Sequence, residues 1–146
     1  MYPEIMIIPM REELTRIGIE EAKSAEAVDD AVRNTEGTLM VVVNSVCGCA
    51  AGKMRPGIRR ALQHGTKPAR SITVFAGQDR EATERARGYF SGYAPSSPSI
   101  GFLRDGKLVH MIQRSDIETR TADQIAATLQ QAFDQYCGAP AESSKS

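Results

Sequence analysis

Tryptophan is absent from this 146-residue chain, cysteine occurs three times and histidine twice. So few cysteines, odd in number, exclude the disulfide framework of a small secreted domain. Net charge is missing as well, because 18 basic and 18 acidic residues cancel. That balance offers no general attraction for nucleic acid or an anionic membrane surface. No apolar run approaches the ~20 residues that span a bilayer. The opening stretch, MYPEIMIIPMREEL, places Glu4 ahead of a short apolar patch and has no basic flank, unlike a signal peptide. A cytoplasmic location is the expectation.

What is present reads as one folding unit. The length is near the commonest for a domain and long enough to bury roughly two-thirds of the unfolded surface. Hydrophobic residues make up 41%, ordinary for a globular chain. No repeat or linker divides it. A single domain over 1–137 is expected, with the small polar stretch GAPAESSKS as a flexible tail over 138–146.

Leu14, Ile17 and Ile19 mark a first short helical stretch. Ser24 suits the N-cap of a second, on which Val28, Ala31 and Val32 share a face. TLMVVVNSV is a β-branched run without alternation, as in a strand buried on both faces. CAAGKMRPGIRRALQHG has Met54, Ile58, Ala61 and Leu62 at helical spacing, Gly65 at its end, and Pro56 inside, which should kink it. SITVFAG is a second buried strand. Asp79 is placed to cap a charged, solvent-facing helix, REATERARGYF. Arg104-Asp105-Gly106 between two apolar runs predicts a hairpin. The last helix has Thr121 as its cap and Ile125, Leu129, Ala132, Phe133 and Tyr136 on one face. Two βα units, a hairpin and a helix make a thioredoxin-like α/β sandwich. Its mixed sheet of about four strands should carry helices on both faces and a helical extension in front. The first strand and the hairpin's first strand should be central.

The cysteines stand out in VVVNSVCGCAAGKMRPG, where a strand hands over to a helix. A helix start presents unpaired N–H groups and the positive end of its dipole, which stabilise a thiolate. Cys47, at the mouth of the turn, is the expected nucleophile and Cys49 its partner. Lys53 and Arg55 are nearby cations. Side chains two apart in a regular helix point nearly opposite ways, so pairing needs an irregular backbone, and Gly48 supplies that freedom. The ring would be small and strained, favouring an oxidant, isomerase or mixed-disulfide exchanger.

Two other uses of the sulfurs stay open: a metal-binding module, with Cys137 as a further ligand, and a redox-sensing interaction protein. Two thiolates are half a tetrahedral shell, and neither His64 nor His110 has ligand spacing to them. His64 is expected to meet the last carbonyls of its helix, and His110 to be a satisfied sheet residue. Cys137 reads as a partly buried thiol. Pro98, just before a strand that pairs beside the first, is placed to hold a cis peptide bond. The backbone of Ser97 would then be free to pair with a substrate chain. Gly48, Ser97 and Pro98 are the candidate substrate-binding positions.

VVVNSVCGCAAG with RP just after it, TVFAGQDREAT and APSSPS strongly resemble the bacilliredoxins, also described as CGC-type thioredoxin-like disulfide isomerases. PMREELTRIGIEE and AFDQYC extend the resemblance over nearly the whole chain. It implies a cytoplasmic bacterial protein that removes bacillithiol, a low-molecular-weight thiol, from protein mixed disulfides, or that exchanges disulfides as an isomerase. Cys47 would attack, and Cys49 or free bacillithiol would resolve. No bound cofactor is implied, only bacillithiol as co-substrate. The partners would be bacillithiolated or disulfide-containing proteins and a recycling thiol or reductase. Two departures from ordinary thioredoxin stand out. Val46 precedes the pair in place of a tryptophan. Val41 replaces the buried carboxylate six residues ahead of it.

Overall fold

The seven residues Thr38–Asn44 are all buried, and the rest of the protein is arranged around them. In the computed structural model, which describes residues 2–138, they form β2. The other strands are β1 (Glu20–Glu21), β3 (Arg70–Phe75), β4 (Ser99–Arg104) and β5 (Lys107–Ile112). The sheet order is β1-β3-β2-β4-β5. β2 runs parallel to β3 and antiparallel to β4, with Val41 opposite both Ile72 and Gly101. The expected central pair is therefore central. The two-residue edge strand β1 makes the sheet five-stranded.

Period-two alternation splits β2 between two cores. Met40 and Val42 face one side, with Met54, Ile58, Ile125, Leu129 and Phe133. Leu39, Val41 and Val43 face the other, with Val28, Ala31, Ile72, Val74 and Ala82. Each fully buried aliphatic side chain contributes about 1.5–3 kcal/mol, so β2 is the best-anchored strand. The first face is covered by α3 (Arg55–Ala61) and α6 (Ala122–Tyr136), the second by α2 (Ala25–Asn34) and α4 (Arg80–Gly88).

Two glycines permit close approach. A Cβ at Gly57 would sit 2.7 Å from Ile125 Cγ2, so α3 and α6 touch there because Gly57 has no side chain. A Cβ at Gly101 would sit 2.3 Å from Phe90 Cε1, so the ring occupies the space that a side chain on β4 would fill. The hairpin forms as expected, with Asp105 and Gly106 both at positive φ (53° and 76°). Ser24 Oγ accepts from Ala27 N at 3.1 Å, and Thr121 with Gln124 forms a reciprocal capping box.

Several local expectations are corrected. The first helix, α1 (Glu4–Thr15), starts earlier than predicted and contains Pro9; Ile17 and Ile19 lie beyond it. Its Ile7, Arg11 and Leu14 point inward at helical spacing, and Arg11 imposes the register. Asp79 does not cap α4 with its side chain. Its carboxylate instead accepts from Arg11 Nη1 and Nη2, both at 2.8 Å, and from Phe75 N at 3.1 Å. A guanidinium 5% exposed needs a counter-charge more than a helix start needs a cap. α4 is not wholly solvent-facing, since Ala82, Thr83 and Ala86 are buried. Pro56 does not kink a regular helix: the irregularity precedes it as a π-helical turn over Ala50–Met54, and Pro56 then sits in the first turn of α3. His64 Nε2 meets Asp134 Oδ1 at 2.8 Å rather than its own helix end. The tail expected to be flexible lies, from residue 139 on, outside the described residues.

Candidate functional site

The chain leaves β2 at Asn44 and turns through Ser45 and Val46 into a helix that begins at Gly48. This turn is built on a buried ion. Arg55, 2% exposed, donates from Nη1 to Asn44 Oδ1 at 2.9 Å and to the Ser45 carbonyl at 3.0 Å. Its Nε lies 3.1 Å from Glu13 Oε1 but off the hydrogen-bond direction. Asn44 Nδ2 reaches the Met10 carbonyl at 3.2 Å, tying α1 to the same corner. Arg55, a cation near the thiols in sequence, is the post under their loop.

Cys47 occupies the N-cap position. Its carbonyl accepts from Ala50 N at 2.9 Å and Ala51 N at 3.1 Å. Its sulfur accepts from Cys49 N at 3.3 Å, as a serine or aspartate oxygen does at a helix start. The thiol pKa of Cys47 is lowered, first by that backbone N–H, and further by the Cys49 thiol, by Arg114 and by Ala50 N, with partial burial opposing. The Cys49 thiol is raised, first by its hydrogen bond to Cys47, then by burial and by the neighbouring negative charge. The pair therefore divides into a sulfur disposed to ionise and one that keeps its proton. Both are free thiols, partly exposed, and Gly48 between them is exposed with no heavy atom within 4 Å of its Cβ position. Gly48 does not use a left-handed backbone. It leaves the approach to the sulfurs open.

The Ser97–Pro98 bond is cis, as expected. Pro98 is buried, while Ser97 shares with Cys47 a groove of about 380 Å³ that Tyr2, Ser45, Arg87 and Arg114 also line. The Ser97 backbone is not left wholly free: its carbonyl accepts from Arg114 Nη1 at 3.3 Å. A larger hollow, of about 530 Å³, lies away from the sulfurs, between Tyr89 and His110.

Sequence reading missed the cation at this site. Lys53 turns away and donates to the Glu118 carbonyl at 2.5 Å. Arg114 acts in its place, from the short helix α5 (Arg114–Glu118), paired with Glu118 at 3.2 Å. The available signal was Asp116, three residues after Gln113; its carboxylate accepts from Gln113 N at 3.0 Å at the start of α5. Cys137 is far along the sheet, beside Thr38, and burial raises its thiol to about 11. His110 stacks on Tyr136 at 5.2 Å, and burial lowers its pKa. Among the described residues no group of three His, Cys, Asp or Glu is placed to hold a metal ion, and no helix is long and apolar enough to cross a membrane.

A family model described as Disulphide isomerase matches residues 2–137. The bacilliredoxin of Koribacter versatilis is 86% identical over 97% of both chains. The chain belongs to the bacilliredoxin family. A further bacilliredoxin, from Cytophaga hutchinsonii, is 50% identical over 92% of this chain and 99% of its own. Among solved structures, oxidised thioredoxin from Plasmodium falciparum superposes with TM-score 0.59 at 17% identity, over 83% of this chain and all of its own. Fasciola hepatica thioredoxin gives 0.57 at 15%, over 81% and 99%. These likenesses establish the thioredoxin fold. Membership of the bacilliredoxins makes the chain a thiol–disulfide oxidoreductase, with disulfide-containing proteins and a reductant as its partners.

Proposed function

We propose that this chain removes bacillithiol from protein mixed disulfides in the cytoplasm, with Cys47 as nucleophile and Cys49 as resolving thiol. The Cys47 thiolate attacks the bacillithiol sulfur. A Cys47–bacillithiol disulfide forms, the old S–S bond breaks, and the protein leaves as a thiolate that takes a proton from water. Cys49 then gives up its proton and attacks the Cys47 sulfur, forming the internal disulfide and releasing bacillithiol. Free bacillithiol can instead take the second step and leave as its symmetrical disulfide. A thiol or reductase returns two electrons to the internal disulfide. Gly48 and Ser97 face the substrate, and the cis Pro98, buried behind Ser97, sets the direction of that backbone.

One observation carries this reading: the Cys49 N–H is directed at a partly exposed Cys47 sulfur at a helix start, with the second thiol two residues on. The same contacts time the second step. The Cys47 sulfur is the largest influence holding the Cys49 proton. Once Cys47 is a mixed disulfide its charge is gone, and Cys49 ionises more readily at the moment it is needed. Val41 is buried on the α2 and α4 side, so no carboxylate occupies that strand position to accept the proton.

Cys49→Ser, incubated with a bacillithiolated test protein, should accumulate a mass increase of one bacillithiol on Cys47. Full exchange activity in Cys47→Ser would overturn the assignment. The family description favours a second use of the pair, rearrangement of protein disulfides. Recovery of a scrambled test protein without added oxidant measures it.

A further inference from the structure

Many arginines of this protein pair with a carboxylate, and of those that do not, only Arg87 has a buried Nε without a partner among the described residues. Arg11 has Glu4 and Asp79 against it, Arg70 has Glu20, Arg85 has Asp29 and Arg114 has Glu118. Arg87 has none among the described residues. Its hydrogen bond goes from Nη2 to the Ser96 carbonyl at 3.3 Å, and its Nε is buried with no partner. Burial lowers its pKa with no carboxylate to offset it. A guanidinium held that way is costly, because a desolvated N–H without a partner loses its hydration and gains nothing in return.

Its position gives the arrangement a use. Arg87 lines the groove that holds Cys47, with Ser97 and Arg114 also on the wall. No acidic residue lines that groove. A volume of about 380 Å³ is within the range of small-molecule sites and too small for a folded chain. The groove thus joins a nucleophilic sulfur to an unneutralised cation within the span of one small molecule.

We infer that Arg87 binds a carboxylate of the low-molecular-weight thiol whose sulfur Cys47 takes, making this groove a subsite for an acidic thiol. The inference rests on the mixed-disulfide reading above and adds the chemistry of the group that is recognised. Arg87 is a specificity residue: it fixes the acidic end while Cys47 reaches the sulfur, and it takes no part in the exchange. An Arg–carboxylate pair in a partly desolvated groove is charge-assisted and directional, which suits it to select acids over neutral thiols. Arg114 is less suited to the task, since Glu118 and the Ser97 carbonyl already occupy it.

The test uses one protein capped with bacillithiol, or with bacillithiol whose carboxylates are methyl-esterified. The full-length wild type should favour the acid cap by about tenfold in kcat/KM, mainly through KM, as expected for one charge-assisted contact. Arg87→Met should bring the two caps to parity, and Arg87→Lys should keep part of the preference. A wild type indifferent to esterification, or an Arg87→Met variant with the wild-type preference, overturns the inference and leaves the exchange reading intact. Release of neither cap by the wild type overturns both.

Discussion

A cysteine lies near each end of β2, in opposite surroundings. Past the carboxyl end, Cys47 meets N–H groups from a helix start, and its pKa is lowered. Beside the amino end, Cys137 meets Thr38 and an apolar wall, and burial raises its thiol to about 11. The residue type and the strand are the same. What differs is whether the backbone nearby has donors to spare. Helix starts have them, while a helix end such as Cys137's offers only carbonyls.

The sharpest way to break this comparison is to remove each sulfur in turn. Cys47→Ser should lower turnover on a mixed disulfide by about a thousandfold or more, since the attacking atom is gone. Cys137→Ser should stay within about twofold. A large loss in Cys137→Ser would mean that the two ends are not independent.

Alkylation tests the same contrast without a substrate. A thiol at about 11 holds ~100-fold less thiolate at neutral pH than one at an ordinary 9, and its greater intrinsic nucleophilicity returns about tenfold. Iodoacetamide should therefore label Cys47 at least about tenfold faster than Cys137 at pH 7, read by mass spectrometry. Arg114→Met should narrow the gap by about twofold, because its charge is among the lesser causes of the Cys47 shift. Equal labelling would remove the electrostatic account.

The smallest effect is on stability, and its sign differs at the two ends. Cys47 has a lowered folded pKa, so its contribution is present above the unfolded value and is lost as pH falls through the folded one. Cys137 has a raised folded pKa, so its contribution is complete below the unfolded value near 9 and is lost as pH rises through about 11. Cys137→Ala should flatten the fall of melting temperature between about pH 9 and 11 by a degree or two. Tyr89, also raised, by its hydrogen bond to Asp29, is common to both proteins and cancels in the difference.

Much of this was legible in the sequence where one segment carries its own instruction. The β-branched run of β2, the Asp105-Gly106 turn, the Thr121 cap and the Cys47–Gly48–Cys49 turn all depend on neighbours in the chain. The rest depends on residues far apart. Asp79 serves Arg11, 68 positions away, instead of its own helix. Arg55 reaches back to Asn44 and Ser45 rather than toward the sulfurs, and Arg114 supplies the nearby charge from a five-residue helix too short to show periodicity. A lone basic residue in sequence says nothing about which carboxylate it meets, so the cations were the least readable part of the site.

The contact of the Phe90 ring with the bare backbone at Gly101 reaches further than core packing. Phe90 lies three residues after Arg87, just past the end of α4, so this contact fixes where that helix stops relative to the sheet. The aromatic ring acts as a depth gauge. Through the end of α4 it bears on where Arg87 stands in the groove that it shares with Cys47. On the inference drawn for Arg87, a change of bulk at either position would retune the size of the accepted thiol while leaving its redox chemistry alone.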